Sequence, residues 1–212
     1  MKKIFILSLI LLCTGCIRID KAENRDAVID NIVSTQSKPN TMALGYKYYL
    51  PLGVSKVYDK NYNQKFKFDD EYIYLYVDIV SYHYGNSLNF LENEEDDNYF
   101  YKRINNGNKN GYVVIKKAED NLYYIKIVYN YAKIESYAKE NEINTILSNS
   151  LIILSSVEYN DKLIDKIMED DYMLGAEKEY KINKPEDATS KFSEYLSEYV
   201  EGENTVVDLP EY

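Results

Sequence analysis

The chain reads as an α+β domain: an antiparallel β-sheet built as a meander, packed on one face by a long helix, with further helices towards the C-terminus. Three observations predict it. Period-two alternation dominates from Tyr46 to Tyr129, and after Tyr131 the apolar spacing becomes helical. Strands first and helices afterwards is the order in which helices gather on one side of an antiparallel sheet. The length, 212 residues, suits one domain with an accessory segment.

The elements follow in chain order. Ile17 to Thr41 is polar and reads as a tether, with a short helix near Asp26 to Val33, where Ile29, Ile32 and Val33 share a face. The folded domain is expected from Tyr46 to Glu201. Gln64 to Phe68 alternates cleanly. Glu71 to Tyr84 is the strongest strand signal, with Ile73, Leu75, Val77 and Ile79 on one side and Tyr72, Tyr74, Tyr76, Tyr82 and Tyr84 on the other. Tyr99 to Ile104 reads as a strand, and the Asn- and Gly-rich run Asn105 to Gly111 as a turn. Tyr112–Lys117 and Leu122–Tyr129 read as a hairpin around Ala118 to Asn121. Helices are predicted over Glu135–Ser156 and Asp161–Asp170. Lys178 to Ile182 reads as a short strand. A last helix opens at Pro185, which suits a first turn. Gly202 to Tyr212 is a tail.

The first residues carry an address. Met1-Lys2-Lys3 is a positive start, and Ile4 to Leu12 is an apolar run too short to span a bilayer. Cys13-Thr14-Gly15-Cys16 follows. This stretch resembles the signal peptide and lipobox of bacterial lipoproteins, in which small residues precede a lipidated Cys that becomes the new N-terminus. Thr14, Gly15 and Cys16 fit that pattern, and Cys13 departs from it where Leu is usual. The resemblance implies residues 1–15 as signal peptide, 16–45 as lipid-anchored N-terminus and tether, Cys16 as the lipidated residue, and a place on the outer face of the plasma membrane. It covers the leader alone. Both cysteines of the chain lie in it, so the mature domain has no disulfide and no thiol chemistry.

Composition removes several functions. Acidic residues outnumber basic ones 35 to 25, for a net charge of −10. No run of Lys and Arg appears, so nucleic acid is not an expected partner. Tyr, Lys, Asn and Ile are all abundant, Tyr occurring 24 times, and all four have AT-rich codons. Tyrosine abundance alone therefore marks no surface. The sole histidine, His83, precludes H-E-x-x-H, and no phosphate-cradling glycine loop, G-x-S-x-G or S-x-x-K is present. Asn106, Asn108 and Asn110 mimic a calcium loop but lack carboxylates, and its twelfth position is Lys117. Glu92 to Asp97 holds five carboxylates in six residues, the pattern of a solvated acidic loop. No cofactor, metal site or catalytic residue is predicted.

The expected function is a non-catalytic binding or structural role towards another protein or an envelope component. The tyrosine set Tyr72, Tyr74, Tyr76, Tyr82 and Tyr84 is the candidate partner surface. An Asp/Glu-dependent hydrolase of wall or sugar polymers is the alternative, and a small solute-binding lipoprotein a further one. For the anchor, Cys16→Ala should abolish incorporation of a radiolabelled fatty acid and release the protein from the membrane fraction. Retention of label in that variant would reject the lipobox assignment.

Overall fold

The computed structural model describes residues 25–35, 37–60, 62–86 and 98–169. The first helix is α1 (Arg25–Ser34), followed by β1 (Thr41–Ala43) and β2 (Tyr46–Tyr48). Next come β3 (Ser55–Lys60), β4 (Asn63–Phe68), β5 (Glu71–Val77) and a short helix α2 (Ile79–Tyr84). A second run of strands is β6 (Phe100–Asn106), β7 (Lys109–Lys117), β8 (Leu122–Tyr129) and β9 (Ala132–Lys139). The chain continues into α3 (Ile143–Ser155), β10 (Glu158–Tyr159) and α4 (Asp161–Glu169).

The fold is α+β and antiparallel. Seven strands form the main sheet in the order β3-β4-β5-β9-β8-β7-β6, and β1-β2-β10 form a small second sheet. The predicted hairpin over β7 and β8 is present. So are the short N-terminal helix and the helix that opens at Asp161. One face of the main sheet is the core. Ile73, Leu75 and Val77 of β5, Ile125 and Ile127 of β8 and Ile134 of β9 are all buried there, with Ile146, Leu147, Leu151 and Leu154 of α3. Each such aliphatic side chain contributes about 1.5–3 kcal/mol when taken out of water.

Two element boundaries are corrected. The helix predicted from Glu135 begins only at Ile143, and residues 132–139 are β9. Ala132, Ile134, Ser136 and Ala138 are buried and their neighbours are not, a period of two. Ile134 and Ala138 are four apart, a spacing that satisfies both the helical and the strand period. The turn that delivers β9 was also hidden. Asn130 and Tyr131 both have positive φ, 50° and 60°, as a tight hairpin between twisted strands requires. That turn normally advertises itself with glycine, and here its second residue is tyrosine.

The strand predicted over Glu71–Tyr84 stops at Val77. The Asp78 carboxylate accepts a hydrogen bond from the Ser81 amide at 2.9 Å and starts α2. Gly85, at φ 60°, closes the helix in the left-handed conformation. Tyr82 and Tyr84 therefore leave the strand face.

The segment assigned to a tether is folded from Arg25 onward. Ile29 and Val33 of α1 lie in the same core as the sheet. Lys102 of β6 pairs with Asp26 at 3.2 Å and Asp30 at 2.9 Å, and the Arg25 guanidinium donates to Asn144 of α3 at 2.9 Å. Cys16 with the leader, the acidic loop Glu92–Asp97, and the elements predicted at Lys178–Ile182, Pro185–Glu201 and Gly202–Tyr212 lie outside the described residues. Edge strand β3 carries a register shift between Lys56 and Tyr58, where it pairs with β4.

Gly111 of β7 meets β8 at close range. A Cβ there would stand 2.0 Å from the Val128 carbonyl oxygen and 2.8 Å from the Tyr129 Cα. Gly111→Ala should therefore lower stability by about 1–3 kcal/mol or more, since the obstacle is backbone. The urea midpoint should fall with the m-value unchanged. A midpoint equal to wild type would show that β7 and β8 can part without cost.

Candidate functional site: the outer face of the sheet

Strand residues alternate between two sides, so the face opposite the core is fixed by register. Across all seven strands one row of paired residues runs Tyr58–Lys65–Tyr74–Glu135–Lys126–Val114–Tyr101. The neighbouring row runs Lys60–Asn63–Tyr76–Lys133–Val128–Tyr112–Arg103. Beyond the first row on its other side, Lys67 pairs with Tyr72 and Lys116 pairs with Tyr124. The face therefore displays tyrosine and lysine in alternation. Its cations are Lys60, Lys65, Lys67, Arg103, Lys116, Lys126 and Lys133. Glu135 is the one carboxylate among these strand positions. The net charge of −10 belongs to the whole chain; the described residues hold 17 Lys and Arg against 16 Asp and Glu, so the acidic excess lies outside them.

The rings and cations are mutually packed. The Lys65 ammonium sits 3.9 Å from the Tyr72 ring centroid and 5.2 Å from that of Tyr74. Lys126 lies 5.9 Å from the Tyr112 centroid. Cations over ring faces at these distances are attracted by the ring quadrupole, and the lysine stems cover apolar surface. The Tyr124 hydroxyl bonds Glu135, and Lys133 pairs with Glu135 at 2.9 Å. Tyr101 stacks on Tyr112, and Tyr124 tilts against Tyr137. Tyr74 and Tyr112 are only 5 % and 4 % exposed, yet neither belongs to the core cluster. Their burial comes from neighbours on the outer face, and α1 and α3 pack into the core on the other side.

The five tyrosines predicted as a partner surface do not form one face. Tyr72, Tyr74 and Tyr76 stand on β5 as expected, half-buried apart from the buried Tyr74. Tyr82 fastens α2 to α4: it stacks on Tyr159 at 3.8 Å and its hydroxyl donates to Asp161 at 2.7 Å. Burial and the Asp161 carboxylate push its hydroxyl pKa up to about 12. Tyr84 is exposed at the end of α2, separate from the sheet. His83, on the same helix, contacts Asp165 at 3.3 Å.

The lysines of the face carry no signal as a run. They sit one or two to a strand, far apart in sequence, and only the register collects them. Lys65 and Lys67 flank buried Phe66, and Lys126 stands between buried Ile125 and Ile127. That alternation is the legible sign of an outward lysine.

Two cavities lined by described residues lie elsewhere. One, of about 520 Å³, is lined by Met42, Gly45, Tyr46, Tyr159 and Asn160, with the exposed ion pair Lys47–Glu158 at 2.8 Å on its wall. A smaller one, of about 230 Å³, lies between Val33, Asn106, Lys109 and Tyr129. Among the described residues no group of three or more His, Cys, Asp or Glu side chains is placed to hold a metal ion. Among the same residues no helix is long and apolar enough to cross a membrane. No protein-family model matches the chain, and no curated protein matches it.

One carboxyl pair is chemically unusual. Glu71 opens β5 and is 5 % exposed, beside Glu142 at the start of α3. Desolvation, a hydrogen bond to Glu142 and the charge of that neighbour raise the Glu71 pKa from 4.5 to about 8, against an opposing pull from Lys139. Neither cavity is lined by this pair. The folded state binds the Glu71 proton more tightly than the unfolded chain does. Its contribution to stability is therefore present at low pH and is lost as pH rises from 4.5 to about 8. Glu71→Gln, which keeps a neutral side chain, should be more stable than wild type at pH 8 and should flatten the dependence of Tm on pH across that window. Parallel Tm curves for the two proteins would show that Glu71 does not titrate there.

Proposed function

We propose that the protein is a lipid-anchored component of the bacterial cell envelope with a non-catalytic binding role, and that the outer face of the seven-stranded sheet is the surface it presents. The single observation that carries this reading is the make-up of that face: the register places Lys65, Lys67, Lys116, Lys126 and Lys133 on one side of the sheet, interleaved with tyrosines and with Glu135 as the one carboxylate among these strand positions. Tyrosine offers wide amphipathic contact at low entropic cost, and lysine steers and holds an anionic partner. The leader ending at Cys16 supports the location, since it resembles a lipobox and would hold the domain at the outer surface of the membrane.

The reading is tested by sedimentation with isolated envelope fragments stripped of membrane lipid, so that the lipid at Cys16 does not itself carry the protein down. The full chain should pellet with envelope fragments. The charge-reversed variant Lys67→Glu/Lys116→Glu/Lys126→Glu should stay in the supernatant. Lys162→Glu, exposed on α4, should pellet like wild type. Equal pelleting of all three proteins would sink the assignment of this face.

A further inference from the structure

We infer that the domain stands end-on at the membrane: the end of the main sheet at which α1 begins faces the lipid surface, the broad outer face stands upright, and both cavities lie at the remote end. This rests on the lipid anchor at Cys16 proposed above and adds the orientation that the anchor imposes.

The first observation is how soon the folded domain begins. Arg25 follows Cys16 by nine residues. Nine residues reach at most about 30 Å, whatever their conformation. Arg25 is itself fixed to the domain. Its guanidinium donates to Asn144 at the start of α3 at 2.9 Å and lies 5.1 Å from the Tyr99 ring centroid and 5.9 Å from that of Phe100. Ile29 and Val33 hold the rest of α1 in the core. The leash is therefore short and its attachment to the domain rigid.

The second observation is which end the leash enters. α1 and α3 run side by side along the strands: Arg25 meets Asn144 where both helices begin, and Val33 and Ser155, where both end, line the smaller cavity. Phe100, Leu122 and Lys139 share the end of Arg25, as the pairings Phe100–Ile115, Lys117–Tyr123 and Leu122–Lys139 fix. Asn106, Lys109 and Tyr129 mark the opposite end, with the smaller cavity. The larger cavity belongs to that end too, since the hydroxyl of Tyr159 on its wall donates to the Asn130 carbonyl at 2.6 Å. The nine residues of β7 separate the two ends by roughly 30 Å. The remote end could touch lipid only with the leash pulled straight along the whole side of the domain.

The third observation separates tethering from adhesion. The turns that close the near end, 69–70, 118–121 and 140–142, contribute Asp69, Asp70, Glu119, Asp120, Glu140 and Glu142 and no Lys or Arg. Anionic headgroups gain nothing by contact with such turns. The short leash, and not attraction, turns this end to the membrane.

The experiment uses the lipidated full chain, recovered from membranes in detergent and reconstituted into vesicles containing anionic lipid. Both native cysteines lie in the leader, so a cysteine introduced into the domain is a unique site for a fluorophore. Asn141→Cys reports on the near end and Asn108→Cys on the remote end, both exposed. Energy transfer to an acceptor on the lipid headgroups should be several-fold stronger from position 141 than from position 108. A second exposed pair, Glu119→Cys near and Thr35→Cys remote, should repeat the difference, so that one poorly folded variant does not decide the result. Inserting about twenty Gly and Ser residues ahead of Arg25, which lets the domain tumble, should remove most of it. Equal transfer from the two ends of the vesicle-bound protein, or stronger transfer from the remote end, would overturn the inference and leave the anchor and the envelope-binding role standing. A difference that survives the insertion would overturn it as well, by showing that the near end adheres to lipid. Failure of the protein to associate with vesicles at all would reject the anchor, and the orientation with it.

Discussion

The pairing of β5 with β9 is the joint on which the structure depends. Without it the chain contains two separate antiparallel units, β3-β4-β5 and β6-β7-β8-β9, neither with a complete core. The pairing sets Leu75 opposite Ile134 and Ile73 opposite Ser136. The Ser136 hydroxyl, buried in the sheet, donates to the Tyr72 carbonyl at 2.8 Å and so satisfies a polar group that would be costly unpaired. This is a long-range contact, formed against loop-closure entropy after the local hairpins exist. Once it is made, the aliphatic sides of both units join one core, to which α1 and α3 also contribute buried residues.

The same joint creates the outer face. Because side chains alternate, aligning the aliphatic sides of β5 and β9 also aligns Tyr74 with Glu135 and Tyr76 with Lys133. A slip of one residue would drive lysines into the core and aliphatics into solvent. Core packing therefore enforces the pattern of the exposed side. The cationic rows need no sequence of their own beyond what the alternation supplies.

Much of this fold was legible because β8 alternates strongly, β7 is a short run rich in β-branched residues, and the turn between them is polar. The boundary errors share one physical origin. Periods of two and of about four coincide at even spacings, so Ile134 and Ala138 fitted a helix, and the β8–β9 turn lacks the glycine that would have broken it. At β5 the alternation of tyrosines ran on past Val77 by coincidence, and the carboxylate of Asp78, a capping group, was the overlooked stop signal. The candidate site was half legible. Tyr72, Tyr74 and Tyr76 could be assigned to one face from sequence. Their lysine neighbours are contributed by other strands, and a pairing register is a non-local property that no window of sequence contains. The Glu71–Glu142 pair was hidden for the same reason, being joined only when α3 settles at the end of β5.

The register shift in β3 bears on association. That strand forms one margin of the sheet, with backbone donors and acceptors on its free side open to recruitment by any other extended chain. The irregularity between Lys56 and Tyr58 bends the margin, and Lys56, Asp59 and Lys60 place charge along it. A second molecule approaching edge to edge would meet a kinked, hydrated border instead of a straight ladder. Wherever copies of the chain are concentrated, that border keeps neighbours from zipping into a continuous ribbon and leaves each broad face accessible.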